Sequence, residues 1–143
     1  MTVLMLRVAS VISFLFAAGH TLGGRSSWSP VGETEVLGAM KTYAFMTEGV
    51  RRTYHDFYIG FGFVLSVYLV MQGVLLWQLA SYARMSLARA RPMIATFVIA
   101  AAVITVLTWA YILPVPVYFW VAIDVALGIA LFGHEKRLSN SAT

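Results

Sequence analysis

The chain has 143 residues, 60% of them hydrophobic and 11% charged, with a net charge of +4. Soluble domains carry about 25% charged residues, so this balance, with a mean hydropathy of +0.81, predicts one integral membrane domain, 1–143. The lack of cysteine excludes disulfide exchange, iron–sulfur clusters and thiolate metal sites. The basic residues lie beside apolar runs and read as topology signals, which argues against nucleic-acid binding.

In chain order, the first expected span is Thr2–Gly24, long enough to cross a hydrocarbon core of about 30 Å. A signal peptide is the rival reading, because Arg7 precedes a run ending Ala17-Ala18-Gly19. Gly19-His20-Thr21-Leu22-Gly23 spaces two small residues four apart, which suits a close helix contact. Arg25–Thr47 is the longest break, and Trp28 within it is placed for an interface. Glu33–Phe45 has an apolar face of Val36, Leu37, Met40 and Ala44 and is expected as a short interfacial helix. An ordinary structured loop is the alternative.

The second span is expected over His55–Leu79, its helix beginning near Thr47. Its entrance, Glu48–Gly62, is the stretch densest in ionisable groups. At helical spacing Glu48, Arg52 and Asp56 share one stripe, and Arg51, His55, Tyr58 and Gly62 share the next. Ser81–Pro92 is expected as a basic loop with Arg84, Arg89 and Arg91 and no acid, the kind that stays in the cytoplasm. Both termini are then cytoplasmic. Span three is Met93–Leu113, opened by Pro92 at a first-turn position. Pro114-Val115-Pro116 is expected as a tight turn. Span four is Val117–Gly133, followed by a polar tail, His134–Thr143. The expected fold is all-α: an antiparallel four-transmembrane-helix bundle with a short interfacial helix between spans one and two.

Asp124 falls inside span four, about 10 Å below its outer edge. A carboxylate there is costly unless paired or protonated, which makes it a candidate functional group. The topology brings His20, His55, Asp56, Arg51 and Arg52 to the same outer half. The expectation is an outward-side polar pocket in apolar walls. His20, His55, Asp56 and Asp124 are the candidates for proton chemistry, and Glu48, Arg51, Arg52, Tyr58 and Tyr111 are the candidates for ligand binding. Each has a structural alternative. Asp124 can fix helix packing, His20 can be a satisfied interfacial imidazole, and Glu48, Arg51, Arg52 and Asp56 can form an ion-pair ladder.

Three function classes fit. One is a pocket for a lipophilic small molecule such as a prenyl lipid, quinone or sterol, with or without acid–base chemistry on it. The second is a non-catalytic accessory or assembly subunit, as a homo-oligomer or within a larger membrane complex. The third is b-type haem or metal binding through His20 and His55. No cofactor is fixed by the residues, and the expected surroundings are membrane lipids. The span count, the length and the arginine- and histidine-rich entrance Glu48–Gly62 resemble small four-span bacterial inner-membrane proteins of the DoxX-like style. That resemblance implies a layout and an inner-membrane location. It carries no residue roles, since no motif matches residue by residue. Phosphate loops, HExxH, CxxC and GxSxG are absent.

Overall fold

The structure, a computed structural model, describes residues 1–24 and 31–133. Trp28, most of the polar stretch after span one, and the tail from His134 lie outside the described residues. The described chain is 84% helical. The element order is α1 (Thr2–Gly24), α2 (Glu35–Thr42), β1 (Ala44–Thr47), β2 (Val50–Thr53), α3 (Tyr54–Met85), α4 (Leu87–Tyr111) and α5 (Pro114–Phe132). Four of the helices, α1, α3, α4 and α5, are long and apolar enough to cross a membrane. The fold is therefore mostly helical rather than all-α, because a two-stranded antiparallel sheet stands where the second span was expected to begin.

That sheet follows from local chemistry. Thr47, Val50 and Thr53 are β-branched and resist helix. Glu48 and Gly49 both have positive φ, 48° and 79°, as a two-residue type I′ hairpin turn requires. The register pairs Thr47 with Val50, Met46 with Arg51, Phe45 with Arg52 and Ala44 with Thr53. The helical stripe of Glu48, Arg52 and Asp56 accordingly does not exist. Glu48 is in the turn, Arg52 in β2 and Asp56 in α3.

Helix α3 starts at Tyr54, with Thr53 before it. The Thr53 hydroxyl accepts from the Asp56 N–H at 3.1 Å, and the Thr53 N–H donates to Asp56 Oδ2 at 2.7 Å. This reciprocal pair satisfies two orphan donors and terminates the strand. Helix α2 is the expected short helix, trimmed at both ends. Its N-cap is Thr34, whose hydroxyl accepts from the Leu37 N–H.

Two further boundaries differ from expectation. Helix runs through almost all of 81–92, broken at Ser86, whose hydroxyl caps α4 by accepting from the Arg89 N–H. Leu87–Arg91 contains only leucine, alanine and arginine, all strong helix formers. They start α4 ahead of Pro92, which becomes an interior residue. Pro114 and Pro116 likewise fall inside the first turn of α5, where a missing N–H costs nothing.

The described residues of Met1–Ser13 and Gln72–Thr143 form one compact unit and those of Phe14–Met71 another, so α1 and α3 contribute to both. In the first unit α4 and α5 pack as a helical hairpin joined by Ile112 and Leu113. Ile94, Ile123 and Leu127 are fully buried there, among alanines such as Ala90, Ala126 and Ala130 that let backbones approach. The start of α1 is held to α3 and α5 by small hydroxyls. Ser10 donates to the Gly73 carbonyl at 2.6 Å, Gln72 donates to Ser13 Oγ at 3.0 Å, and Thr2 donates to the Ala130 carbonyl at 3.1 Å. The Arg7 guanidinium lies 4.8 Å over the Trp77 ring. In the second unit Phe16, Ala17, Leu37 and Leu69 are buried.

Candidate functional site

The hairpin and the first turns of α3 are joined by aromatic rings. Tyr54 stacks on Tyr43 at 5.8 Å and lies 5.0 Å from Phe45; Phe45 reaches Phe57 at 5.7 Å, and Phe57 reaches Phe61 at 6.2 Å. A two-stranded hairpin is marginal alone, and these rings supply the face it packs against. Phe45 pairs across the sheet with Arg52, so the register that seats Phe45 on α3 also sets Arg52 beside the start of that helix. Arg51, next in the strand, falls on the opposite face.

A groove of about 270 Å³ results, lined by Arg52, Asp56, Phe57, Gly60, Phe61 and Val64. Its polar residues are at one end. The rest of its wall follows α3 for two turns, from Phe57 through Gly60 and Phe61 to Val64. Gly60 adds no side chain to this wall, and a Cβ built there would meet nothing within 4 Å. Phe61 is 70% exposed and Val64 51%. Asp56 offers acceptor capacity beyond the bond it takes from Thr53, and Arg52 donates one N–H to the Arg51 carbonyl at 2.9 Å, leaving further donors. The groove can thus bond a polar head in both senses.

Of the remaining candidates in this unit, Glu48 is exposed in the hairpin turn and makes no ion pair among the described residues. The expected ladder does not form; among the described residues the one salt bridge is Lys41 with Glu33 at 2.8 Å. Tyr58 is exposed on α3. His55 has a buried Nε2 with no hydrogen-bond partner among the described residues. His20 Nδ1 is 3.0 Å from Ser66 Oγ, and that hydroxyl donates to the Gly62 carbonyl at 3.2 Å. The Ser66 hydroxyl thus ties the His20 ring to α3. Ser66 is eleven residues beyond His55 on α3, about 16 Å of helical rise. The two histidines therefore attach to α3 at different depths. No group of three or more His, Asp or Glu side chains gathers among the described residues.

Asp124 and Tyr111 belong to the other unit. Tyr111 is the last residue of α4 and is 82% exposed. Asp124 is the eleventh residue of α5, about 15 Å from its start and close to mid-helix, against the about 10 Å expected of it. The reason is that α5 begins at Pro114 and not at Val117. The Asp124 Oδ1 is buried with no hydrogen-bond partner among the described residues.

Reasoning from sequence missed Ser66, Gln72, Ser10 and Ser13. Small polar residues in apolar runs were the available signal, but the partners lie 46 to 63 residues away. Comparison with models of protein families, with curated proteins and with solved structures finds no match.

Proposed function

We propose that the protein crosses a membrane four times, with both termini in the cytoplasm, and that it binds an uncharged lipophile with a hydroxyl-bearing head in the groove at the start of α3. The observation that carries this reading is the groove itself, with Arg52 and Asp56 at one end and Phe57, Gly60, Phe61 and Val64 along the rest. Helix α3 has 32 residues, about 48 Å, against a hydrocarbon core of about 30 Å. One end of it therefore stands clear of the core together with the hairpin. Residues 81–92 at its other end carry Arg84, Arg89 and Arg91 without an acid, which by the positive-inside rule faces the cytoplasm. The hairpin is then on the outer side, and the inner membrane of a bacterium is the setting that the layout resembles.

In this reading a hydroxyl head accepts from the Arg52 guanidinium and donates to the Asp56 carboxylate, while the tail lies on the phenylalanines. Binding needs no bond to be made or broken. The test is lipid extraction and mass spectrometry of the detergent-purified protein. Wild type is expected to retain a neutral lipophile. Gly60→Leu, whose Cβ meets nothing within 4 Å and whose side chain would occupy the groove, is expected to lose it, and Arg52→Gln to retain less. A lipophile-free wild type, or equal retention by Gly60→Leu, would overturn the proposal. Co-purification of a defined protein assembly in its place would favour an accessory subunit.

A further inference from the structure

A second groove lies in the unit that holds α4 and α5. It has a volume of about 190 Å³ and is lined by Leu75, Gln78, Leu79 and Tyr82 of α3 and Met93 and Phe97 of α4. The two helices meet at Ser86. Counted outward from that corner, Tyr82 and Arg89 are four and three residues away, Leu79 and Met93 seven each, and Leu75 and Phe97 eleven each. These are levels about 5, 10 and 16 Å from the corner. The floor is therefore apolar at the deepest level, mixed at the middle one, where Gln78 puts an amide beside Leu79 and Met93, and polar near the corner, where Tyr82 has a phenol.

The corner carries the charge. Arg89, Met93 and Phe97 are four apart on one stripe of α4, so Arg89 lies outside the lining itself but one turn nearer the corner than Met93 on the stripe that lines the groove. Arg84 and Arg91 are each two residues from Tyr82 and Arg89, about 200° round their helices and off the groove. All three arginines are exposed, and no acid occurs in 81–92.

We propose that this groove holds an anionic phospholipid. One acyl chain lies on Leu75, Leu79, Met93 and Phe97, the ester region meets Gln78 and Tyr82, and the phosphate is held by Arg89. The occupant follows from the surroundings and the charge. An open apolar groove between two membrane-crossing helices is covered by hydrocarbon chains, and a positive mouth without a balancing acid selects an anionic head. The site rests on the proposed crossing of the membrane by α3 and α4 but not on the groove at Arg52, so loss of lipid from one groove leaves the other untouched.

The experiment is native mass spectrometry of the full chain from micelles with equal amounts of dioleoyl phosphatidylglycerol and dioleoyl phosphatidylcholine. Wild type is expected to retain the anionic lipid about fivefold more, the preference one interfacial arginine supplies. Arg89→Gln is expected to bring the ratio close to one. Arg84→Gln, Arg91→Gln and Arg52→Gln are expected to leave it unchanged. Met93→Trp, which fills the groove, is expected to lose both lipids with helical circular dichroism retained, and Leu75→Trp does the same from the α3 side if the first variant does not fold. Equal retention of both lipids by wild type would overturn the site. An equal fall in Arg84→Gln or Arg91→Gln would also do so, since it would mean a diffuse basic surface. So would displacement of the lipid by inorganic phosphate at the same concentration, because the groove would then contribute nothing.

Discussion

At the scale of single residues, the hairpin turn decides the most. Glu48 and Gly49 take positive φ, a conformation that costs an L-residue with a Cβ about 1–2 kcal/mol. Gly49→Ala should therefore destabilise the hairpin by about that amount, while Glu48→Asn should stabilise it, because asparagine tolerates the left-handed region better than glutamate. Thermal unfolding in detergent, followed by circular dichroism, measures both. Equal melting temperatures for wild type and Gly49→Ala would mean that the turn is not formed in the folded protein. The same turn explains a misreading. Glutamate followed by glycine is a weaker hairpin signal than Asn-Gly or Asp-Gly, and charges at 48, 52 and 56 imitate a helical ladder. What overrides the ladder is the aromatic contact of Phe45 with Tyr54 and Phe57, invisible to local spacing.

Among the elements, the first turn of α1 meets the end of α5. A Cβ on Gly133 would lie 2.6 Å from Thr2 Oγ1 and 3.2 Å from the Ile129 carbonyl. Thr2 in turn donates to the Ala130 carbonyl. Gly133→Ala is overpacked, and we expect it to cost about 1–3 kcal/mol. Thr2→Ala in the same chain removes the nearer atom and should recover part of the loss, so the two changes will not be additive. Chemical denaturation of the two single variants and the double variant reads this directly; strict additivity would mean that α1 and α5 do not touch there. Helix ends were the least legible elements from sequence. The capping groups of α3 and α4, Thr53 and Ser86, are ordinary hydroxyls with no special spacing until the turn before or after them is known.

For the whole molecule, the expected outcome is one of sidedness. The chain has no cysteine, so single cysteines report position without background. Glu48→Cys in the hairpin and Ser86→Cys at the α3–α4 corner sit at the two ends of a helix longer than the hydrocarbon core. With four crossings and cytoplasmic termini, a membrane-impermeant maleimide should label Glu48→Cys in intact cells and Ser86→Cys only after permeabilisation. Labelling of both from the outside would show that α3 does not span.

The sequence by itself determined the number, order and approximate extent of the apolar helices. Runs of about twenty apolar residues bounded by prolines, glycines and arginines leave the backbone no other way to satisfy its hydrogen bonds in hydrocarbon. It also placed the polar residues at the entrance to α3. The tertiary structure alone decided how those residues are used. Whether Arg52 belongs to a helical ladder or to a groove depends on rings at 45, 54 and 57 meeting across a turn. Whether His20 has a partner depends on a serine 46 residues away. Both are contacts between segments, and local period and propensity hold no record of which segments meet.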